Sequence, residues 1–175
     1  MQSQEGHLDN VVAALKFKGI PDGNICVFRL EPREVLPEQG SGREIKMEAE
    51  LPLSEVVKRT KEHLGVPNLR IALGRGANMG KPKKMRKILA ASNGVHDLSE
   101  SPVSTIASCA GSGSSVLSGT RSDVWLTGEM SHHEVLDAVH AGSTVLLAEH
   151  SNSERGFLKV LERMIRCRCL SNIPI

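Results

Sequence analysis

The sequence predicts an α/β fold with a partial, parallel-to-mixed sheet and helices on both faces. From Ser104 onward, short apolar segments alternate with helix-type segments, a pattern typical of parallel strands joined by crossover helices. The last strand segment, residues 144–148, is apolar, as expected for a strand covered on both faces. Because 39% of the residues are hydrophobic but only 2% are aromatic, the predicted core is aliphatic.

Length and composition limit the classes of protein to consider. A chain of 175 residues is typical of one main domain. The net charge of +2 and the scarcity of aromatic side chains disfavour direct nucleic-acid binding through base stacking. The four cysteines lack CxxC spacing, which favours a reducing compartment. With neither a signal-peptide pattern nor an apolar run near the roughly 20 residues that span a bilayer, we expect a cytoplasmic protein without a membrane segment.

The first part of the chain is weakly patterned. Residues 1–50 contain a mixed segment at 11–15, a predicted strand at 25–28 and then a polar run. Residues 51–76 are clearer: Ser54 is predicted to cap a helix over 55–64 that stops at Gly65, and a strand follows at 69–73.

Residues 77–103 form a basic and polar segment that we interpret as a loop or an insertion. Its basic side chains are either a solvated surface or a nuclear-import or phosphate-binding patch, and the first alternative is the more common one. These side chains are Lys81, Lys83, Lys84, Arg86 and Lys87.

Residues 104–166 carry the regular pattern. Strands are predicted at 105–109, 123–126 and 144–148, with a glycine-rich turn at 111–115. Ser131 is predicted to cap a helix over 132–140 that Gly142 closes. Its predicted buried residues are Val135, Leu136 and Val139. A last helix over 153–166 is predicted to bury an apolar stripe of Phe157, Leu158, Leu161 and Ile165.

Imidazoles and carboxylates follow two of the predicted parallel strands. In open α/β sheets, ligands bind beyond the carboxyl ends of the strands. His150 and Glu154 are four residues apart, so both project from one helical turn. Imidazole and carboxylate together suit a divalent metal ion such as zinc, manganese or iron.

Alternatives stay open for the neighbouring residues. Glu129, His132 and His133 are either metal ligands, residues that orient ligands, acid/base groups, or side chains tolerated at an exposed helix start. The turn at 111–115 is either an anion site or a tight turn that needs small residues. Cys109 is either a nucleophile or a small buried residue.

The residues from Cys109 to Leu158 closely resemble the C-terminal half of the eukaryotic NIF-three-like proteins, also described as type 2 of GTP cyclohydrolase I. Three segments carry the resemblance: CAGSGSS from Cys109, LTGEMSHH from Leu126 and EHSNSERGFL from Glu149. The match extends more loosely back through residues 52–76.

The resemblance implies a two-metal site inside a toroidal homo-oligomer, usually a hexamer, with His150 and Glu154 among the ligands. The family's remaining ligands, a His-His pair and an Asp, belong to an N-terminal half without a counterpart in this sequence; the segment starting at His7 does not supply them. Relative to the family, the fold is therefore expected to be incomplete, with an exposed sheet edge, and residues 167–175 form a variant tail.

Two functions from different classes follow, together with a third alternative. The chain is either a metal-dependent, hydrolase-like protein, in which Glu129 or His133 transfers a proton as a catalytic residue, or a non-catalytic adaptor. The family's name records binding to a transcription-related factor, and the basic segment would then support nuclear entry. A truncated product without function is the third alternative.

Overall fold

The computed structural model describes residues 25–32, 40–74 and 101–166, with side chains from residue 41 onward. These residues form a six-stranded sheet in the order β1-β2-β4-β5-β6-β3. The strands are β1 (Ile25–Pro32), β2 (Gly40–Pro52), β3 (Arg70–Ala72), β4 (Pro102–Ser112), β5 (Val124–Glu129) and β6 (Thr144–Leu147).

Strand directions in the sheet are mixed. The three strands β4, β5 and β6 pair in parallel, whereas β1 with β2, β2 with β4, and β3 with β6 pair antiparallel. The predicted parallel-to-mixed sheet is confirmed. Among the described strands, β1 and β3 form the two edges.

Helices cover both faces of the sheet, as predicted. Leu53 and Val56 of the first helix pack with Ile106 and Leu126 on one face. On the opposite face, two other helices pack against the alternate strand residues, among them Trp125. The helices are α1 (Leu53–Leu64), α2 (Ser114–Leu117), α3 (His132–His140), α4 (His150–Glu154) and α5 (Leu158–Ile165), with a 3₁₀ turn at Arg155–Phe157 between the last two.

Two predicted helix ends are confirmed. Ser131 forms a capping box with Glu134: the Glu134 amide donates to Ser131 Oγ at 3.4 Å, and the Ser131 amide donates to the Glu134 carboxylate at 2.7 Å. Hydrogen bonds from the hydroxyls of Ser114 and Ser131 lower the pKa of Glu134. Gly65 ends α1 with φ of 66°, a conformation that favours glycine.

The start of α1 differs from the prediction. The helix begins at Leu53 after Pro52, and no side chain caps it, so the predicted cap at Ser54 is wrong. Strand β2 ends at Pro52, whose ring fixes φ near the value it has at this boundary, −64°. The Leu53 amide donates to the carbonyl of Ser101 at 2.8 Å and so has a partner without a side-chain cap.

The buried face of α3 also differs in one residue. Ala138 and Val139 are buried and Val135 is partly buried, but Leu136 is 38% exposed. Residues 135, 138 and 139 share one side of the helix, and Leu136 lies about 100° away from Val135 around the axis. The prediction that Leu136 is buried is therefore wrong.

The last helix shows the largest difference. A 3₁₀ turn divides the predicted helix over 153–166, and α4 packs against β4 and β5. The predicted core stripe is largely exposed: Leu158 by 57%, Leu161 by 38% and Ile165 by 47%, whereas Phe157 is half-buried. The spacing of the stripe is that of a core helix, but the 3₁₀ turn at Arg155–Phe157 interrupts the helix before α5 begins, so the prediction that the stripe is buried is wrong for these three leucine and isoleucine residues.

Strand β2 was missed by the sequence analysis. Ile45 and Met47 are buried and alternate with charged residues, the pattern of a strand with one covered face. β4 begins at Pro102, three residues before its predicted start. The predicted features at 11–15, the basic segment from Lys81 to Lys87 and the tail at 167–175 lie outside the described residues.

Within the described ranges, none of the helices has both the length and the apolar character needed to cross a membrane.

Candidate metal centre

The candidate site lies at the carboxyl edge of the parallel strands. Glu129 is the last residue of β5, and α4 begins at His150, shortly after β6 ends at Leu147. Because β5 and β6 run in parallel, their carboxyl ends bring these two residues to the same edge of the sheet. The sequence prediction that Glu129 and His150 are neighbours agrees with this placement.

His150 lies between two carboxylates. Its Nδ1 is 2.8 Å from Glu129 Oε1, and its Nε2 is 3.3 Å from Glu154 Oε1. The side chains are partly open to solvent, with 44% of His150 and 49% of each glutamate exposed. Both nitrogens of one imidazole therefore face carboxylate oxygens.

These carboxylates raise the pKa of His150. The hydrogen bond with Glu129 is the largest contribution, and the negative charge of Glu154 adds to it against the opposing effect of burial. A metal ion needs the neutral imidazole, so protons compete with a metal for this residue.

Gly111 lies beside the side chains of His150 and Glu154. With φ of 71°, its backbone adopts a conformation that favours glycine. A Cβ at this position would be 2.8 Å from Glu154 Oε1 and 3.3 Å from His150 Nε2. Glycine thus keeps the side of the site that faces β4 free of side-chain atoms.

The backbone that delivers His150 has an unusual conformation. Glu149 has φ of 70° and ψ of 144°, which is rare for a residue with a side chain. Its carboxylate accepts a hydrogen bond from Arg70 Nε at 2.8 Å, which links this turn to β3. No local pattern in the sequence indicates this pair, because Arg70 and Glu149 are 79 positions apart in the chain.

The two donors fit part of a divalent metal site. Glu129 holds Nδ1, which leaves Nε2 for a metal and resembles the carboxylate–histidine pairs that orient metal ligands. Nε2 and Glu154 Oε1 lie 3.3 Å apart, on the side of the site next to Gly111. In the part of the chain that the structure describes, no group of three or more His, Cys, Asp or Glu is arranged to hold a metal ion. His150 and Glu154 therefore form only part of the ligand set that a metal site needs.

His133 is separate from this cluster. It is exposed near the start of α3, and its ring contacts that of His132 with centroids 5.8 Å apart. Among the described residues, no hydrogen bond or ion pair joins His133 to Glu129, His150 or Glu154. Its catalytic role stays a prediction without a contact to support it.

The glycine-rich turn and Cys109 have internal roles. The Gly111 amide donates to Ser153 Oγ at 2.9 Å, and the Gly113 amide donates to Thr127 Oγ1 at 3.1 Å, so neither is available to an anion. The thiol of Cys109 is buried and donates to the carbonyl of Ser41 at 3.3 Å. These contacts favour the tight-turn and buried-residue alternatives.

Fold and site together define a mixed-sheet α/β protein with an imidazole–carboxylate cluster at the carboxyl edge of its parallel strands. A family model described as Duf34/NIF3 (NGG1p interacting factor 3) matches residues 2–173. The chain belongs to this family.

Relatives from animals and fungi match over most of the chain. NIF3-like protein 1 of Rattus norvegicus is 43% identical over 143 residues, which cover 82% of this chain and 33% of the relative. NGG1-interacting factor 3 of Saccharomyces cerevisiae is 38% identical over 122 residues, covering 69% of this chain and 36% of the relative. The chain thus spans about a third of the length of these relatives.

Solved structures share the fold. Protein ybgI, of unknown function, has a TM-score of 0.57 at 17% identity, covering 93% of this chain and 51% of that protein. Reduced HcgD from Methanocaldococcus jannaschii has a TM-score of 0.53 at 18% identity, with the same coverage of 93% and 51%. At identities of 17% and 18%, the likeness shows a shared fold and nothing more specific.

Proposed function

We propose that this chain contributes His150 Nε2 and the Glu154 carboxylate to a divalent metal site in a NIF3-family protein. The observation that carries the proposal is the position of His150 between Glu129 and Glu154, at 2.8 and 3.3 Å. Metal-binding histidines commonly donate one ring N–H to a carboxylate, as Nδ1 of His150 is placed to do toward Glu129, and bind the metal through the other nitrogen.

Each residue has a distinct role in this proposal. Glu129 accepts the Nδ1 proton of His150 and so fixes the tautomer in which Nε2 carries the free lone pair. Glu154 supplies a charged oxygen donor on the same side. A zinc, manganese or iron ion held there would polarise a substrate oxygen or activate water, which is the chemistry of a hydrolase-like protein. In this proposal, the remaining ligands are supplied by residues other than His150 and Glu154, or by neighbouring subunits in the toroidal hexamer that the family resemblance implies.

Metal titration of purified protein tests the proposal. His150→Ala and Glu154→Gln are each expected to weaken zinc or manganese binding by about tenfold or more, because each substitution removes one of the two metal donors proposed for this chain. His140→Ala is the matched control, since His140 is an exposed imidazole at the end of α3. Wild-type protein that binds neither metal, or variants that bind like wild type, would exclude this function.

A second candidate is a protein-interaction function. The name of the yeast relative records an interaction with NGG1 for that protein. We propose a transcription-related protein partner for this chain as the alternative, and binding of purified NGG1 protein is its first test. If the double variant His150→Ala/Glu154→Ala binds NGG1 as wild type does, the interaction is independent of the metal donors; if neither protein binds, the alternative fails for this partner.

A further inference from the structure

We propose that Ser153 is a positioning residue for the two metal donors, because its hydroxyl joins the backbone of His150 to the end of β4. The inference rests on the proposed metal site and concerns how the chain holds that site in shape. Ser153 does not contact the metal position itself. It lies within α4, between the two donors in sequence, and is 6% exposed.

The hydroxyl of Ser153 makes two hydrogen bonds. It donates to the carbonyl of His150 at 2.7 Å and accepts from the amide of Gly111 at 2.9 Å. Gly111 is the same glycine whose missing side chain leaves room for His150 and Glu154. One buried hydroxyl therefore fixes the distance between the first turn of α4 and the strand end against which both donors lie.

Strand β5 also lies very close to Ser153 and to the backbone of His150, at Gly128. A Cβ at Gly128 in β5 would lie 2.5 Å from Ser153 Oγ, 2.7 Å from the carbonyl oxygen of Gly111 and 2.9 Å from the Cα of His150. Two of these atoms belong to the backbone, so they cannot rotate away. The Ser153 hydroxyl, Gly111 and Gly128 thus pack as one unit beneath His150.

Loss of the hydroxyl would act through both donors. Without the hydroxyl, the buried Gly111 amide has no hydrogen-bond acceptor. An unpaired buried N–H favours a local rearrangement that lets water or another acceptor reach it. Because Gly111 lies beside His150 Nε2 and Glu154 Oε1, such a rearrangement would change the positions of both atoms relative to the end of β4. Changes to residues that hold metal ligands in place typically weaken metal affinity by about 10- to 100-fold.

The experiment compares Ser153→Ala with Ser151→Ala in the full chain, using zinc alone as the probe. Ser151 is exposed on the same short helix and is the matched control. Zinc affinity is measured by competition with a chromogenic chelator. The ¹⁵N shifts of the His150 ring at fixed pH report, without metal, whether Nδ1 still carries the proton shared with Glu129.

Ser153→Ala is expected to lower zinc affinity by about 10- to 100-fold and to shift the His150 ring signals, whereas Ser151→Ala leaves both unchanged. A folded Ser153→Ala protein with wild-type ring signals and wild-type affinity would overturn the proposal. If wild type binds no zinc, the metal function fails, but the ring signals still test the positioning role.

Two further measurements test the role of Ser153 if Ser153→Ala does not fold. Ser153→Cys retains a side chain of similar shape with weaker hydrogen bonding, and it is expected to lower zinc affinity less than Ser153→Ala. In wild type, hydrogen exchange of the Gly111 amide is expected to be slow. Exchange of this amide at the rate of an exposed backbone would show that the hydrogen bond to Ser153 is not formed and would contradict the proposal.

Discussion

His150 Nδ1 lies 2.8 Å from Glu129 Oε1, so the residue that ends β5 sets the ring orientation of the residue that begins α4. This contact crosses 21 positions of sequence. It assigns different roles to the two nitrogens of His150, since one is engaged by Glu129 and the other faces Glu154.

The charge of Glu129 is expected to control the basicity of His150. Glu129→Gln keeps an oxygen acceptor but removes the negative charge, so the pKa of His150 should fall back toward its ordinary value of 6.5. NMR titration of the His150 ring measures this pKa. Glu162→Gln is the control, because Glu162 is paired with Arg166 on α5. An unchanged His150 pKa in Glu129→Gln would contradict the assigned contact.

Metal affinity is expected to rise with pH across the titration of His150. The neighbouring carboxylates raise the pKa of His150 above 6.5, and the proton must leave before the imidazole binds a metal. Affinity should therefore be weak at pH values below 6.5, increase as the pH passes the raised pKa, and then level off. Zinc titrations at a series of pH values measure this dependence, and an affinity that does not change over this range would count against His150 as a ligand.

Asp123, which precedes β5, is expected to stabilise the pairing between the starts of β4 and β5. Burial raises the pKa of its carboxyl, but hydrogen bonds from the amides and hydroxyls of Ser104 and Thr105 together lower it below 3.8. The stabilisation is present above pH 3.8 and is lost as the pH falls through the lowered pKa. Asp123→Ala should cost about 2–3 kcal/mol at neutral pH, measured by urea unfolding. A loss below about 0.5 kcal/mol would show that these hydrogen bonds contribute little.

The capping box of α3 gives a smaller stability prediction. Ser131→Ala removes the acceptor for the Glu134 amide and should lower the free energy of unfolding by about 1 kcal/mol. Ser151→Ala, at an exposed position of α4, serves as the control in the same urea experiment. Equal stabilities of the two variants would contradict the capping role.

The apolar stripe of α5 distinguishes the observed fold from the sequence prediction. Leu161→Gln should lower the free energy of unfolding by less than about 2 kcal/mol, because the side chain is 38% exposed and contributes only part of the stabilisation of a buried leucine. Leu146→Ala in β6, where the side chain is fully buried, should cost about 2–5 kcal/mol. If Leu161→Gln is as destabilising as Leu146→Ala, the stripe is part of the core after all.

Much of the fold was predictable where the pattern of side chains is local. The parallel strands, the Ser131 cap and the stop at Gly65 follow from apolar runs and from residues whose backbone preferences are strong. Strand β2 was not recognised, because charged residues alternate with its buried Ile45 and Met47 in a segment with many polar residues. The exposure of α5 depends on whether another element covers its apolar side, which helical spacing does not determine.

The candidate site was also predictable only in part, because some of its contacts join residues that are far apart in the sequence. The four-residue spacing identified His150 and Glu154, and the parallel strand ends brought Glu129 close to them. The contacts of Ser153 with Gly111 and of Arg70 with Glu149 join residues that are 42 and 79 positions apart. Such contacts depend on strand register. The sequence groups His133 with Glu129 beside the end of the same strand, but among the described residues no hydrogen bond or ion pair joins His133 to His150 or Glu154.

The most direct test of the metal-site account is a crystal structure of the protein loaded with zinc, with the metal located by its anomalous signal. The account predicts a peak bonded to His150 Nε2 and the Glu154 carboxylate, with Nδ1 still hydrogen-bonded to Glu129. An anomalous peak elsewhere with these side chains metal-free, or a zinc bound to Nδ1 in place of Glu129, would contradict it.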